Sequence, residues 1–145
     1  MGVQIMPADW RLQQRQLLAI RVTVFVDEQG VPAQMEHDQH DALAIHLLAT
    51  VDDGTPVATA RLLPDGHIGR MAVLKDWRGQ GIGTAILRAL IEIARKNGHD
   101  RVFLFSQCQA EAFYARMGFR SEGEVFDDAG IDHRRMTLPL GQDAD

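Results

Sequence analysis

Arg70-Met71-Ala72-Val73-Leu74, Lys75-Asp76-Trp77, Arg78-Gly79-Gln80-Gly81-Ile82-Gly83-Thr84 and Ala85-Ile86-Leu87-Arg88-Ala89-Leu90-Ile91 follow one another without a break. The stretch reads as a short apolar strand, a turn, a glycine-spaced loop and a helix rich in Ile, Leu and Ala. Gly79, Gly81 and Gly83 stand at alternate positions. The loop can therefore take positive φ and let a bulky ligand reach the main chain with no Cβ in the way. The first N–H groups of the helix lack intrahelical partners and sit at the positive end of its dipole. Arg78 adds a full charge beside them. The combination predicts an anion cradle suited to a diphosphate. It is not a Walker loop, because Gly83 is followed by Thr84 and Ala85 with no lysine, and the dinucleotide Gly-x-Gly-x-x-Gly pattern fails from either Gly79 or Gly81.

Around this stretch the chain has 145 residues, 46% of them hydrophobic, which predicts one domain over 1–140 with a disordered tail at 141–145. A chain of this size buries roughly 70% of its unfolded surface, enough for a core. The longest apolar run is far short of a membrane span, and Met1 to Trp10 lacks the basic start and long apolar run of a signal peptide. These features exclude a membrane span and predict a cytoplasmic protein. A net charge of −5 without a basic run argues against nucleic acid as a partner. Cys108 is the only cysteine and the six histidines are scattered, so neither a disulfide framework nor a metal site is expected.

Upstream, Gln4-Ile5-Met6 reads as a strand ended by Pro7, and Asp9 as the N-cap of a helix carrying Trp10, Leu17, Leu18, Ile20, Val24 and Phe25. A polar loop or short helix over 33–41 carries Glu36, Asp38 and Asp41. Three strands follow as an antiparallel meander, His46 to Val51, Pro56 to Leu63 and His67 to Val73, linked by Asp52-Asp53-Gly54-Thr55 and Pro64-Asp65-Gly66. Asn97-Gly98 closes the central helix. Arg101-Val102-Phe103-Leu104-Phe105-Ser106 is nearly continuous in apolar residues, as a buried strand would be when paired in parallel with its predecessor. A short helix over Ala110 to Met117 and two last strands, Phe119 to Val125 and Asp132 to Leu138, complete a mixed α/β order.

Arg78-x-x-Gly81-x-Gly83 after an apolar strand resembles the signature of the GNAT superfamily of acyl-CoA-dependent N-acyltransferases. Phe113-Tyr114-Ala115-Arg116-Met117-Gly118-Phe119 follows at the distance that family shows. Arg21 to Gln29 and Asp132-His133-Arg134-Arg135-Met136 resemble its ElaA-like branch. The resemblance covers about Arg21 to Leu138. It implies a three-layer fold with a mostly antiparallel, splayed central sheet flanked by helices, and acetyl-CoA as co-substrate without a metal. Transferred here, the backbones of Met71, Ala72 and Val73 would pair with pantetheine. Arg78, Gly79, Gln80, Gly81, Ile82, Gly83 and Thr84 would hold the pyrophosphate, with Ser106 as the polar residue closing the partner strand. The Val73 N–H would serve as oxyanion donor.

Amide formation needs a neutral amine, a polarised thioester oxygen and a stabilised thiolate. Tyr114, the only tyrosine, has a phenol with a reference pKa near ~10, able to donate to a thiolate. The resemblance places it beside the coenzyme sulfur, as general acid. Glu28 is the first candidate for general base, ahead of His37 and Asp41. The substrate wall is expected from Arg21, Glu28, Gln29, His37, Asp41 and Arg134. An ammonium would be drawn by the carboxylates, and one of Arg134 and Arg135, which face opposite sides of a strand, would grip a carboxylate. Cys108 lacks a neighbouring base in sequence, so direct transfer to a small-molecule or peptide amine is expected rather than an acyl-cysteine. A coenzyme A-binding sensor would keep the loop yet have no need of Tyr114 or Glu28. Leftover sheet edges are compatible with a homodimer.

Overall fold

Two sheets meet at a single point and splay from it, and the cleft of interest is the gap between them. The computed structural model describes residues 2–32 and 38–141. The first sheet holds β1 (Gln4–Ala8), β2 (Ile45–Thr50), β3 (Pro56–Leu62) and β4 (Ile68–Val73) in chain order, all antiparallel. The second holds β5 (Arg101–Gln107), β6 (Arg120–Asp128) and β7 (Ile131–Pro139) in the order β5-β7-β6. Between and around them run α1 (Trp10–Arg21), α2 (Ile82–Lys96) and α3 (Glu111–Arg116). This is the mixed α/β architecture expected, a largely antiparallel, splayed arrangement flanked by helices.

The local chemistry explains the boundaries. Asp9 caps α1, its carboxylate accepting from the Arg11 and Leu12 N–H groups at 2.8 and 3.2 Å. The chain continues from α1 into a π-helical segment, Val22–Glu28, so the apolar positions read as one helix belong to two winding types. β1 runs through Pro7 rather than ending there. It is an edge strand, paired only with β2, and such a strand tolerates the missing proline N–H. Within the predicted loop over 33–41, Asp38 caps a 3₁₀ turn, Gln39–Leu43; Glu36 and His37 lie outside the described residues.

The first sheet is covered on both faces. α2 lays Ile86, Leu87, Leu90 and Ala94, all fully buried, on one of them. On the other, α1 and the π-helical segment pack Leu17, Ile20 and Val24 against Leu48 and Ala72. Each such aliphatic side chain contributes about 1.5–3 kcal/mol by leaving water.

The second sheet has two unlike faces. Val102, Leu104 and Met136 join the core with Phe119 beneath α2 and α3. The register Phe105↔Arg135, Gln107↔His133 and Phe126↔His133 sets Phe105, His133 and Phe126 on the opposite face. There Phe105 and Phe126 remain 41% and 38% exposed, so β5 is not buried on both sides as its apolar run suggests.

The expected parallel pairing of β5 with its predecessor shrinks to one bridge, His67↔Phe103, with the Phe103 N–H donating to Gly66 O at 3.0 Å. β5 instead pairs antiparallel with β7. The junction depends on Gly66, which has φ +92° and whose missing Cβ would stand 2.9 Å from Arg101 O.

Candidate active site

β4 is irregular where it faces the gap. Its pairing with β3 shifts between Thr59 and Arg61, and Arg70 takes φ +50°, a left-handed conformation uncommon away from glycine. Beyond this bulge, Ala58 lies opposite Val73 while the Leu74 N–H reaches Val57 O at 2.9 Å. In an antiparallel ladder this makes Ala58 and Val73 a pair without mutual hydrogen bonds, so the Val73 N–H and C=O point away from β3 toward the gap. The Val73 carbonyl accepts from Arg78 Nε at 2.9 Å.

Arg78 is more than a charge beside the loop. Its Nη2 donates to both Glu28 oxygens, at 2.8 and 2.9 Å, tying the glycine loop to the end of the π-helical segment. After it, Gly79 and Gly81 have φ +78° and +83°, with nothing within 4 Å of a Cβ built on either. Gly83, inside α2, has ordinary helical φ and would meet Phe113 and Val73 side chains at 3.7 and 3.8 Å. Two of the three alternating glycines therefore require the left-handed region, and the third does not.

A cleft of about 780 Å³ joins these elements. Met71, Ala72 and Val73 line it from β4, with Arg78, Gly79, Gly81, Ile82, Gly83 and Thr84 from the loop and helix start. Tyr114 faces it from α3, and Gln29 from the end of the π-helical segment. Gln29 Oε1 accepts from Gln107 Nε2 at 2.6 Å, a bond that links that segment to the end of β5. The Tyr114 ring packs edge-on against Phe113 and Phe119 at 5.0 and 5.9 Å. Burial pushes its phenol up to about 12, and no hydrogen bond among the described residues uses its hydroxyl. It is thus a fully protonated donor across the physiological range.

Other expected site residues lie elsewhere. Ser106 is 1% exposed and donates to Gln107 O at 2.8 Å, on the α2 side of β5; strand alternation turns Gln107, not Ser106, to the cleft. Gln80 is exposed on the far side of the loop, 3.5 Å from Asp76 O. Arg134 does not reach an acceptor side: its Nε donates to Gly123 O at 3.0 Å and its guanidinium lies 3.9 Å from Glu111. Arg135 takes the opposite face, 4.2 Å over the Phe103 ring. His37 lies outside the described residues.

Arg21, the last residue of α1, and Asp41 do not form the expected substrate wall, because both are buried, at 1% and 0% exposure. Asp41 accepts from Arg21 at 2.8 and 3.1 Å and from Arg61 at 2.7 Å. Burial works against its charge, but the two guanidiniums outweigh it and hold the carboxyl below its ordinary value. Asp38 accepts from Arg61 at 2.8 and 3.0 Å and from Arg70 at 3.2 Å, and the Arg61 bond pulls it well below the carboxylate range. The network runs from the core to the β4 bulge. It makes these charges part of the scaffold.

Comparison with known proteins identifies the family and the fold. The model of the acetyltransferase (GNAT) domain matches residues 12–140. The chain belongs to the GNAT acetyltransferase family. A Bacillus subtilis relative, the uncharacterized N-acetyltransferase YjcF, is 39% identical over 122 residues, covering 81% of this chain and 86% of its own. The crystal structure of an acyl-CoA N-acyltransferase from Pseudomonas aeruginosa superposes with a TM-score of 0.84 at 31% identity, over 94% of this chain and 99% of that one. Escherichia coli ElaA gives 0.84 at 29% identity with the same coverage. As a GNAT chain this protein is an acyltransferase, and the bulged β4, the glycine loop and β5 frame its cleft.

Sequence reasoning passed over His67, Phe105, Phe126, Asp128 and His133. His67 stacks on Phe103 and meets Phe105 edge-on, both at 5.0 Å, and burial lowers its imidazole to about 4. The alternation Phe103, Phe105, Gln107 was the available signal. It needed the β5–β7 register to show which face is open.

Proposed function

We propose that the protein moves the acetyl group of acetyl-CoA directly to a primary amine of a small molecule or peptide. The observation that carries this reading is the convergence of a protonated, otherwise unbonded phenol, the outward Val73 N–H and the glycine loop on one cleft. Gly79 and Gly81 leave open backbone where a diphosphate fits, which supports coenzyme A there. Bound acetyl-CoA supplies an activated thioester. The amine nitrogen forms the new C–N bond to the acetyl carbon as the C–S bond breaks. The Val73 N–H donates to the carbonyl oxygen as it gains charge. Tyr114 donates to the departing sulfur and gives it a proton. Glu28, oriented by Arg78, takes the proton lost by the amine, directly or through a water.

Cys108 gives no support to an acyl-enzyme. Its thiol lies above its ordinary value, through partial burial and then the bond to and charge of Glu111, and few thiolates form.

The test is Tyr114→Phe. Turnover falls about 100-fold or more, while calorimetric affinity for coenzyme A stays within about threefold, because the hydroxyl acts only as charge develops on sulfur. Full activity in that variant removes Tyr114 from the mechanism. Coenzyme binding without thiol release on adding amines indicates a binding module instead.

A further inference from the structure

The cleft has an acceptor end whose composition goes beyond the transfer chemistry. On the open face of the second sheet, Phe105 and Phe126 meet edge-on at 5.5 Å, Phe126 lies against His133 at 5.9 Å, and His67 closes the row beside Phe105. Phe105, His67 and His133 line the same cleft as Tyr114 and the glycine loop. Burial keeps His67 neutral at pH 7, so the Phe105 end of this aromatic row carries no charge.

The charges around it are mostly spoken for. Arg61 and Arg70 bond Asp38, Arg135 covers Phe103 and contacts Glu122 at 3.4 Å, and Arg134 points to the other face. Each guanidinium that lines the cleft already reaches a carboxylate of the protein, Arg61 and Arg70 reaching Asp38 and Arg78 reaching Glu28, and Arg135 on this face reaches Glu122. Asp128, on the β6–β7 hairpin, is the one carboxylate among the described residues that line the cleft. Its hairpin is held in place by Ala129 and Gly130, with φ +55° and +81° between the paired Asp128 and Ile131, the signature of a type I′ turn. A cation is favoured at this rim and an anion is not.

We propose that the acceptor is a primary amine carrying an aromatic ring, an arylalkylamine without a carboxylate, whose ring seats on Phe105, Phe126 and His133. The proposal rests on the transferase reading and names its substrate class. A second copy of this chain is the competing occupant of the open face. Two rings each about two-fifths exposed offer far less than the roughly 800 Å² per partner of a stable interface, and Phe105, on which Phe126 packs, lines the cleft rather than standing apart from it.

Calorimetry with the full chain, first with coenzyme A alone and then titrating 2-phenylethylamine, propylamine or serine in its presence, tests this. The phenyl amine binds about tenfold more tightly than propylamine, the gain expected from burying one ring against apolar surface, and serine binds more weakly than either. Phe105→Ala and Phe126→Ala each reduce the preference for phenylethylamine over propylamine, in binding and in kcat/KM, by about threefold or more. Retained coenzyme affinity shows that the variants are folded. Equal affinity for the two amines, or tighter binding of serine, overturns the proposal. So does a dimer in sedimentation that Phe126→Glu converts to monomer, since the face then belongs to a second copy. Coenzyme binding without a ring preference breaks only this inference; a ring preference without coenzyme binding breaks only the transferase reading.

Discussion

The two sheets treat polar and aromatic groups in opposite ways. The first, covered by helices on both faces, buries charge: Arg21, Asp41 and Arg61 are at most 3% exposed, with His46 at 2% stacked on Trp10. The second, whose Phe105 face α1 does not take as its packing surface, exposes rings and keeps its ion pairs outside, as in Arg135–Glu122 at 37% and 55% exposure. The sheet that is closed carries the cost of desolvated charge, and the sheet that is open carries rings that water only partly covers. A closed wall with buried charge thus faces an open aromatic one across the cleft, and the bulged β4 belongs to the closed side.

The strongest way to break this contrast is to remove the centre of the buried network. Asp41→Asn withdraws the charge that lies between Arg21 and Arg61, where Arg61 already holds a buried Nε with no partner. Denaturant unfolding should show a loss of about 3–5 kcal/mol, as for other broken buried pairs. Glu122→Gln, its counterpart in the second sheet, should cost under about 1 kcal/mol. Equal losses would mean that the two sheets do not differ in the way their burial indicates.

The contrast also marks what could be read from sequence. The Asp9 cap, the meander, the glycine loop and its helix follow from local rules: capping, turn residues and period. That Tyr114, Val73 and the loop share a cleft was legible because each lies in a contiguous motif. Arg21 and Asp41 were misplaced on a substrate wall because a charged side chain in sequence carries no sign of burial, and their pairing spans twenty residues. Ser106 was misassigned for want of a register, since one step along a strand reverses the face. The aromatic wall was missed for the same reason, being assembled from β5, β6, β7 and the β3–β4 turn.

Acid should weaken the junction of the two sheets, where His67 lies. His67 titrates near 6.5 when unfolded and about 4 when folded, because burial disfavours its cation. A depressed folded pKa means that the unfolded chain binds more protons in this window, so stability is lost as pH falls from about 6.5 toward 4 and is recovered as it rises. The depressed Asp41 and Asp38 carboxyls act in the same direction at lower pH. Thermal unfolding between pH 7 and 4 should therefore show a falling midpoint, and His67→Gln should flatten the upper part of that slope. A slope unchanged in the variant would assign the acid sensitivity to His46, the other buried imidazole held below its ordinary value.

The finest contrast lies inside the glycine loop itself, where neighbouring glycines differ in what they do. Gly81 precedes α2 at φ +83° with empty space around it, so a side chain there is opposed by backbone conformation and not by contact. Gly81→Val should cost about 1–3 kcal/mol in backbone strain or else flatten the loop, and coenzyme A affinity should fall about tenfold or more in calorimetry. Gly83 has helical φ, and a Cβ there meets Phe113 and Val73 at ordinary van der Waals distance. Gly83→Ala should leave stability within about 1 kcal/mol of the parent or raise it slightly, since alanine is the better helix former. If its coenzyme affinity nevertheless fell as far as that of Gly81→Val, the ligand itself would have to approach the Gly83 backbone more closely than a methyl group permits. The pair of variants thus separates the glycine required by the chain from the glycine required by the coenzyme.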